Sequence, residues 1–279
     1  MNRSYLFIPG DVPRMLQMLD VFDADAVIID FEDAVALNQK DEARFLTRNF
    51  IQTHPPKAIE VYIRINHIID DPKETMKDLE MIIDLPISGI VAPKINRLSL
   101  AKLDRYFEEK TSPLKIIGLV ETPDVFFDLM TLAQHPRIQG LMLGAEDLTR
   151  IMNIERNLTG DNILWARSSI VYAMHSVSKE AIDTPYTVIH DHQGLAKDAT
   201  IAANLGFTGK AVIHPNHVEG VHLAFTPTEH QILTAKKIVE YAKKNQSIRF
   251  NLDGKMVDKP IIDKAHALLE KYAKNGDKS

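Results

Sequence analysis

Short runs of β-branched and apolar residues alternate along the chain with longer stretches in which apolar residues recur every three or four positions. That alternation is the mark of a parallel sheet whose strands are joined by helical crossovers. Eight runs read as strands: Ser4 to Ile8, Ala26 to Phe31, Ile59 to Ile65, Gly89 to Pro93, Lys115 to Val120, Gln139 to Gly144, Tyr186 to Ile189 and Lys210 to Ile213. Most are continuously apolar, as strands covered on both faces are. The intervening spacing predicts helices over 13–22, 38–52, 73–84, 99–110, 124–134, 161–178 and 193–205. Eight such units, with no glycine fingerprint for a dinucleotide after the first strand, favour an α/β fold of the closed (β/α)8 TIM barrel type over an open sheet.

The helical pattern continues past the eighth strand. Thr226-Pro227-Thr228-Glu229 has capping-box spacing with proline at the first helical position, and Ile232, Ala235, Val239 and Ala242 then share one face. Asn251, Asp253 and Gly254 interrupt the pattern before a last amphipathic segment from Ile261 to about Lys274. The expected partition is a barrel core over 1–226 and a C-terminal helical extension or lid over 227–279, packing on the barrel or on a neighbouring subunit.

Composition narrows the partners more than the fold. At 279 residues and 45% hydrophobic content the chain can bury a barrel-sized core. A net charge of −5, without basic runs interleaved with aromatics, argues against nucleic acid. The absence of cysteine excludes disulfides, thiolate catalysis and cysteine-based metal sites. No apolar run is long enough for a bilayer and no signal segment opens the chain, so the expected location is cytoplasmic, with no membrane partner.

In a barrel of this kind the site forms where the strands end, and these ends are unusually polar. The second strand runs into Asp30, Glu32 and Asp33; the third into Arg64 and Asn66; the fourth into Lys94; the fifth into Glu121; the sixth into Glu146 and Asp147; the seventh into His190 and Asp191; the eighth into His214. Glu121 and Asp147, from neighbouring strands, form the all-oxygen pair that suits Mg²⁺. Arg64 is placed to grip a substrate carboxylate or to pair with Asp30, Glu32 and Asp33, and the two are compatible if those acids orient it. Gly144 and Ala145 are small enough to bring backbone N–H groups close to an anion. His190 and His192 lack a third ligand and read as hydrogen-bonding or exposed groups rather than a zinc site.

The segments Arg3 to Gly10, Ala24 to Val35, Arg64-Ile-Asn66, Pro93-Lys94, Glu121-Thr122, Gly144 to Leu148, His214-Pro215 and Asp253 to Asp258 fall in an order that resembles the citrate lyase β-subunit-like group of the HpcH/HpaI aldolase and malyl-CoA or citramalyl-CoA lyase family. The resemblance covers nearly the whole chain. It implies Glu121 and Asp147 as Mg²⁺ ligands, Arg64 as the residue on the 2-oxo acid or the developing enolate, and Asp30, Glu32 and Asp33 as its support. It further implies substrate contacts at Gly144, Ala145 and Glu146, and CoA contacts at Pro9, Gly10 and Arg14. Asp258 matches an aspartate that several relatives carry on a C-terminal lid into a neighbouring subunit's site, and such relatives are often homotrimers. Ala145-Glu146-Asp147 and His214-Pro215 depart from the Ala-Phe-Asp and Asn-Pro of the complex-forming β subunit, which points to CoA rather than an acyl-carrier protein.

The implied reaction is an Mg²⁺-dependent retro-Claisen cleavage of a 3-hydroxy-acyl-CoA thioester of the citryl, citramalyl or malyl type into an acyl-CoA and a 2-oxo acid. Asp258 is the expected acid that exchanges the proton, and Arg64 with the supporting Glu32 and Asp33 completes the expected catalytic set. The competing readings are a thioesterase on the same substrates, a Schiff-base aldolase using Lys94, and a non-catalytic acyl-thioester-binding barrel.

Overall fold

The computed structural model describes residues 2–157, 159–245 and 248–276, with side chains as far as residue 270. It forms two compact units, Met1–Phe225 and Thr226–Ser279. In the first, the parallel strands β1 (Ser4–Pro9), β2 (Ala26–Asp30), β3 (Glu60–Arg64), β4 (Gly89–Ala92), β5 (Lys115–Val120), β6 (Ile138–Leu143), β7 (Glu180–Asp183) and β8 (Gly209–Val212) pair in sequence order and close into a barrel. The seam is β8 against β1, with Tyr5 opposite Ala211. Around it run α1 (Pro13–Gln17), α2 (Lys40–Thr53), α3 (Pro72–Ile82), α4 (Arg97–Glu109), α5 (Leu129–Gln134), α6 (Ala145–Ile151), α7 (Leu164–Ser176), α8 (His192–Leu205) and α9 (Val218–Phe225).

Alternation along each strand divides the core in two. Tyr5, Ile28, Tyr62, Val91, Ile117, Leu119, Met142 and Ile182 fill the barrel interior, while Leu6, Val27, Ile29, Val61 and Ile63 pack outward beneath the helices. Both faces of every strand are thus removed from water, which is why these runs lack the polar alternation of a half-exposed sheet.

The interior is closed at the N-terminal ends of the strands by a polar layer. Tyr5 donates to Glu180, Tyr62 donates to Glu60 at 2.7 Å, and Gln139 donates to the Tyr62 hydroxyl at 2.8 Å. Asn2 donates to Glu60 at 2.8 Å. Burial raises the Tyr5, Tyr62 and Glu180 pKa values, and the two phenols stay protonated as donors to the carboxyl groups.

Several expectations are corrected. The seventh strand is Glu180–Asp183, not Tyr186 to Ile189, which forms a loop with Val188 and Ile189 exposed. Charged residues hide β7 from an apolar-run reading, and they are tolerated because each is paired. Asp183 accepts from Arg167 of α7 at 2.9 and 3.0 Å and from Lys210 of β8 at 2.6 Å, and Asp198 of α8 completes the network at 2.7 and 2.6 Å. His190 and Asp191 therefore do not follow a strand; Asp191 caps α8, accepting from Gly194 N–H at 2.9 Å. The sequence pattern also passes over α6, which begins at Ala145, and α9, which precedes the extension.

The second unit contains α10 (Glu229–Asn245), a hairpin of β9 (Phe250–Leu252) and β10 (Lys255–Val257), and α11 (Lys259–Gly276). Its capping box is Thr228 with Gln231 rather than Thr226 with Glu229: Thr228 N–H donates to Gln231 at 2.8 Å and Gln231 N–H to Thr228 Oγ1 at 3.2 Å. The interruption at Asp253-Gly254 is the hairpin turn, with both residues at positive φ. Ala235, Ile238, Val257, Ile262 and Ala265 form this unit's own small core. No helix among the described residues is long and apolar enough to cross a membrane.

Candidate active site at the C-terminal mouth of the barrel

A cavity of about 440 Å³ opens at the C-terminal ends of the strands. Its walls include Phe7, Leu119, Met142 and Ile213 as apolar surface, and Asp30, Asp33, Arg64, Glu121, Glu146 and Asp147 as charged groups. A volume of this order suits a small organic ligand.

Arg64, at the last position of β3, is held from several sides. Its Nε and Nη2 donate to the two Asp30 oxygens at 2.7 and 2.5 Å, and Nη1 lies 3.1 Å from Glu32 and 3.3 Å from Asp33. The guanidinium carbon sits 5.3 Å from the centre of the Phe7 ring. Asp30 also accepts the backbone N–H groups of Glu32 and Ala34, at 2.8 and 3.0 Å, so one buried carboxylate orients both the arginine and the acidic loop after β2. Burial alone disfavours the Arg64 charge, but its carboxylate partners outweigh that and raise its pKa. Of the two roles open to Arg64 in the sequence, the ion pairs are formed. They leave one Nη2 hydrogen for a ligand.

Glu121 directly follows β5 and is 4% exposed. Its Oε1 accepts the Lys94 backbone N–H at 2.6 Å. Burial pushes its pKa up to about 7, and the nearby charge of Asp147 adds to the rise. Glu32 is pushed further, to about 8, by burial first and then by the charges of Asp33, Glu121 and Asp30, against the opposing pull of Arg64. Asp147 lies in the first turn of α6, where Arg150 donates to one of its oxygens at 3.0 and 2.7 Å. Glu146 pairs with Arg156 at 2.8 Å, and the same guanidinium nitrogen donates to Pro185 O at 2.9 Å.

Gly144 acts differently from the expectation. Its N–H is spent on Val120 O at 3.0 Å and that of Ala145 on Thr184 Oγ1 at 3.3 Å, so neither amide is free for an anion. What requires glycine is space, since a Cβ here would stand 2.6 Å from Glu121 Oε2 and 2.7 Å from Glu121 Cβ. Of the residues expected to meet CoA, Pro9 lines the cavity, whereas Gly10 is buried behind it against Phe31 and Arg14 is exposed on α1. Asp258 belongs to the second unit, where it precedes α11 and accepts the Ile261 N–H at 3.4 Å.

Lys94 does not offer the neutral amine a Schiff base needs. Burial draws its pKa down, but Asp70, 3.1 Å from Nζ, together with Glu32 and Glu121, more than reverses this and keeps the ammonium charged. His192, His214 and His217 approach one another, with ring centres 6.4 and 6.1 Å apart. Among the described residues no group of three His, Cys, Asp or Glu side chains has a metal-binding arrangement.

The sequence reading missed the apolar wall and the Thr184-Pro185 segment. Phe7 was accessible through alternation on β1, which turns Tyr5, Phe7 and Pro9 to one side; Thr184 and Pro185 were hidden with β7 itself.

The charge balance tests whether a metal fits. The wall residues carry five carboxyl groups, Asp30, Asp33, Glu121, Glu146 and Asp147, and even with Arg150 and Arg156 pairing with Asp147 and Glu146 from beside the wall, only three guanidinium groups among the described residues, Arg64 included, face them. An all-oxygen donor pair, Glu121 with Asp147, in such an acid-rich setting fits a hard divalent cation with retained waters.

The family described as HpcH/HpaI aldolase/citrate lyase matches residues 3–215. The chain is 32% identical to the citrate lyase subunit beta of Haemophilus influenzae, over 99% of this chain and 98% of that protein. It is 28% identical to the mitochondrial citramalyl-CoA lyase of Rattus norvegicus, over 96% of this chain and 85% of that protein. Among solved structures, protein CitE from Mycobacterium tuberculosis in complex with magnesium, acetoacetate and coenzyme A superposes with a TM-score of 0.84 at 27% identity, covering 97% of this chain and 98% of that one. The citrate lyase beta subunit complexed with oxaloacetate and magnesium, also from M. tuberculosis, superposes with a TM-score of 0.70 at 29% identity, covering 80% of this chain and 96% of that one.

Proposed function

This chain belongs to the HpcH/HpaI aldolase/citrate lyase family, and from that premise we propose that it is a magnesium-dependent lyase that splits a 3-hydroxy-acyl-CoA thioester of the citryl, citramalyl or malyl type into an acyl-CoA and a 2-oxo acid. The observation that carries the reading is the meeting of Glu121 and Asp147 at one cavity beside Arg64, with more acid than base on its walls.

In this reaction the hydroxyl at C3 loses its proton, the C2–C3 bond breaks, C3 becomes the ketone of the oxo acid, and the electron pair remains at C2 as a thioester enolate that is then protonated. Bound Mg²⁺ supplies Lewis-acid stabilisation of the oxygens at the carbon that becomes the ketone. Glu121 and Asp147 are the side chains that would hold it. Arg64, immobilised by Asp30, keeps a fixed positive charge at the wall where negative charge develops, and being fixed it needs no reorganisation during the reaction. Asp30, Glu32 and Asp33 set its position, and Glu32, whose carboxyl burial pushes up to about 8, is poised to carry a proton. Phe7, Leu119, Met142 and Ile213 exclude water from the enolate, which favours carbon protonation over thioester hydrolysis.

We assign final proton exchange at C2 to Asp258, and CoA contact to the rim containing Pro9, with Gly10 behind it and Arg14 on α1. Gly144, Ala145 and Glu146 line the same cavity, and we assign them to the substrate. The test is Mg²⁺-dependent cleavage of citryl-, citramalyl- and malyl-CoA by the full chain. Asp147→Ala should abolish turnover while leaving the far-UV circular dichroism unchanged, and Asp258→Asn should lower kcat more than it raises KM. Undiminished cleavage by Asp147→Ala in chelator-treated buffer would sink the proposal.

A further inference from the structure

Lys94 comes two residues after β4, with its backbone in the left-handed region at φ 44°. A residue with a Cβ adopts that conformation rarely, because the side chain crowds its own carbonyl. Here the conformation aims the Lys94 N–H at Glu121 Oε1, 2.6 Å away. The next amide, of Ile95, is committed to Leu119 O at 3.0 Å, so two successive N–H groups tie this turn to the end of β5. The other end of the residue is tied as well. Lys94 Nζ lies 3.1 Å from Asp70 Oδ2, and that oxygen is 3.0 Å from Nδ1 of the buried His67, on the loop after β3. Backbone and side chain of one residue thus engage two different carboxylates.

We propose that Lys94 is a positioning residue for Glu121: its ammonium, tethered through Asp70 to His67, holds the left-handed turn that delivers its backbone N–H to Oε1, leaving Oε2 to bind the divalent cation. The inference rests on the reading of Glu121 as a metal ligand. It explains why a long cationic side chain occupies a turn whose conformation otherwise favours glycine or asparagine. The tether does for the backbone what the missing Cβ of glycine would do. Gly144 complements it from the opposite side, since the room it leaves is the room Oε2 occupies.

The proposal separates Lys94→Gly and Lys94→Asn, which adopt this turn without a tether, from Lys94→Ala, which keeps the Cβ and loses the tether. Mn²⁺ titrated calorimetrically into the full chain is the probe. The Gly and Asn variants should keep the Mn²⁺ Kd within about threefold of wild type, while Lys94→Ala, and Asp70→Ala with it, should weaken binding about tenfold, or roughly 1.4 kcal/mol. Equal weakening in the Gly and Ala variants, or none in either, overturns the proposal, as does loss of turnover common to all three Lys94 variants at unchanged Mn²⁺ affinity. A second readout needs no metal: the amide proton resonance at position 94, shifted downfield by its short hydrogen bond to Glu121, should persist in the Gly and Asn variants and move upfield in Lys94→Ala. Identical behaviour of that resonance in all three also overturns it. A wild-type chain that takes up no Mn²⁺ refutes the metal reading of Glu121 instead, and the amide resonance still judges the turn.

Discussion

Gly144 separates two things that a sequence string cannot. As a residue it is ordinary, and its neighbours suggest an amide offered to an anion. In the fold its N–H is already spent, and its contribution is the absence of a methyl group where Glu121 turns toward the cavity. Gly144→Ala therefore has a definite expected outcome. The added Cβ forces the Glu121 carboxylate aside, so turnover should fall by at least about tenfold, a loss of roughly 1.4 kcal/mol in transition-state stabilisation. The melting temperature should fall as well, because the contact with Glu121 Cβ persists whatever rotamer the carboxylate takes and is relieved only by moving the backbone. Steady-state kinetics and a thermal melt on the same preparation check both halves. The charged residues of the site were legible as types at strand ends; their partners were not. Arg64 could have faced a ligand or Asp30, and the register that sets Asp30 opposite Arg64 on neighbouring strands makes the pair while Arg64 still lines the cavity.

At the scale of elements, seven strands were readable because both faces of each are covered, which writes an apolar run into the sequence. β7 was not, since two of its four residues are acids whose burial depends on partners far along the chain. Asp183 is fully buried between Arg167 and Lys210, so removing it leaves two interior cations to share Asp198 as their one remaining carboxylate. Asp183→Ala should cost about 3–5 kcal/mol of stability, read as a lower urea midpoint; a loss below about 1 kcal/mol would show that the network relaxes or admits water. The short helix α6 was missed for a related reason. It begins directly at the end of β6 and carries Asp147 in its first turn, so the position looks like a strand terminus in the sequence and is a helix in space.

For the whole molecule, the eightfold count carried the architecture, and length then excluded little else. What the count could not show is the outer surface. Phe127, Trp165 and Tyr172 are 87%, 64% and 79% exposed, and Trp165 and Tyr172 both belong to α7. We propose that apolar groups displayed so openly mediate the self-association that the family resemblance implies. Sedimentation equilibrium should give three times the chain mass, and Trp165→Glu with Tyr172→Glu should reduce it; a monomer at micromolar concentration would exclude the homotrimer.

The layer of tyrosines and acids sealing the N-terminal end of the barrel makes the interior a blind alley. Whatever enters the cavity leaves by the C-terminal mouth, since beneath it the barrel is plugged by its own side chains and then stoppered by Tyr5, Tyr62 and their carboxylates, at the end where no bond is broken.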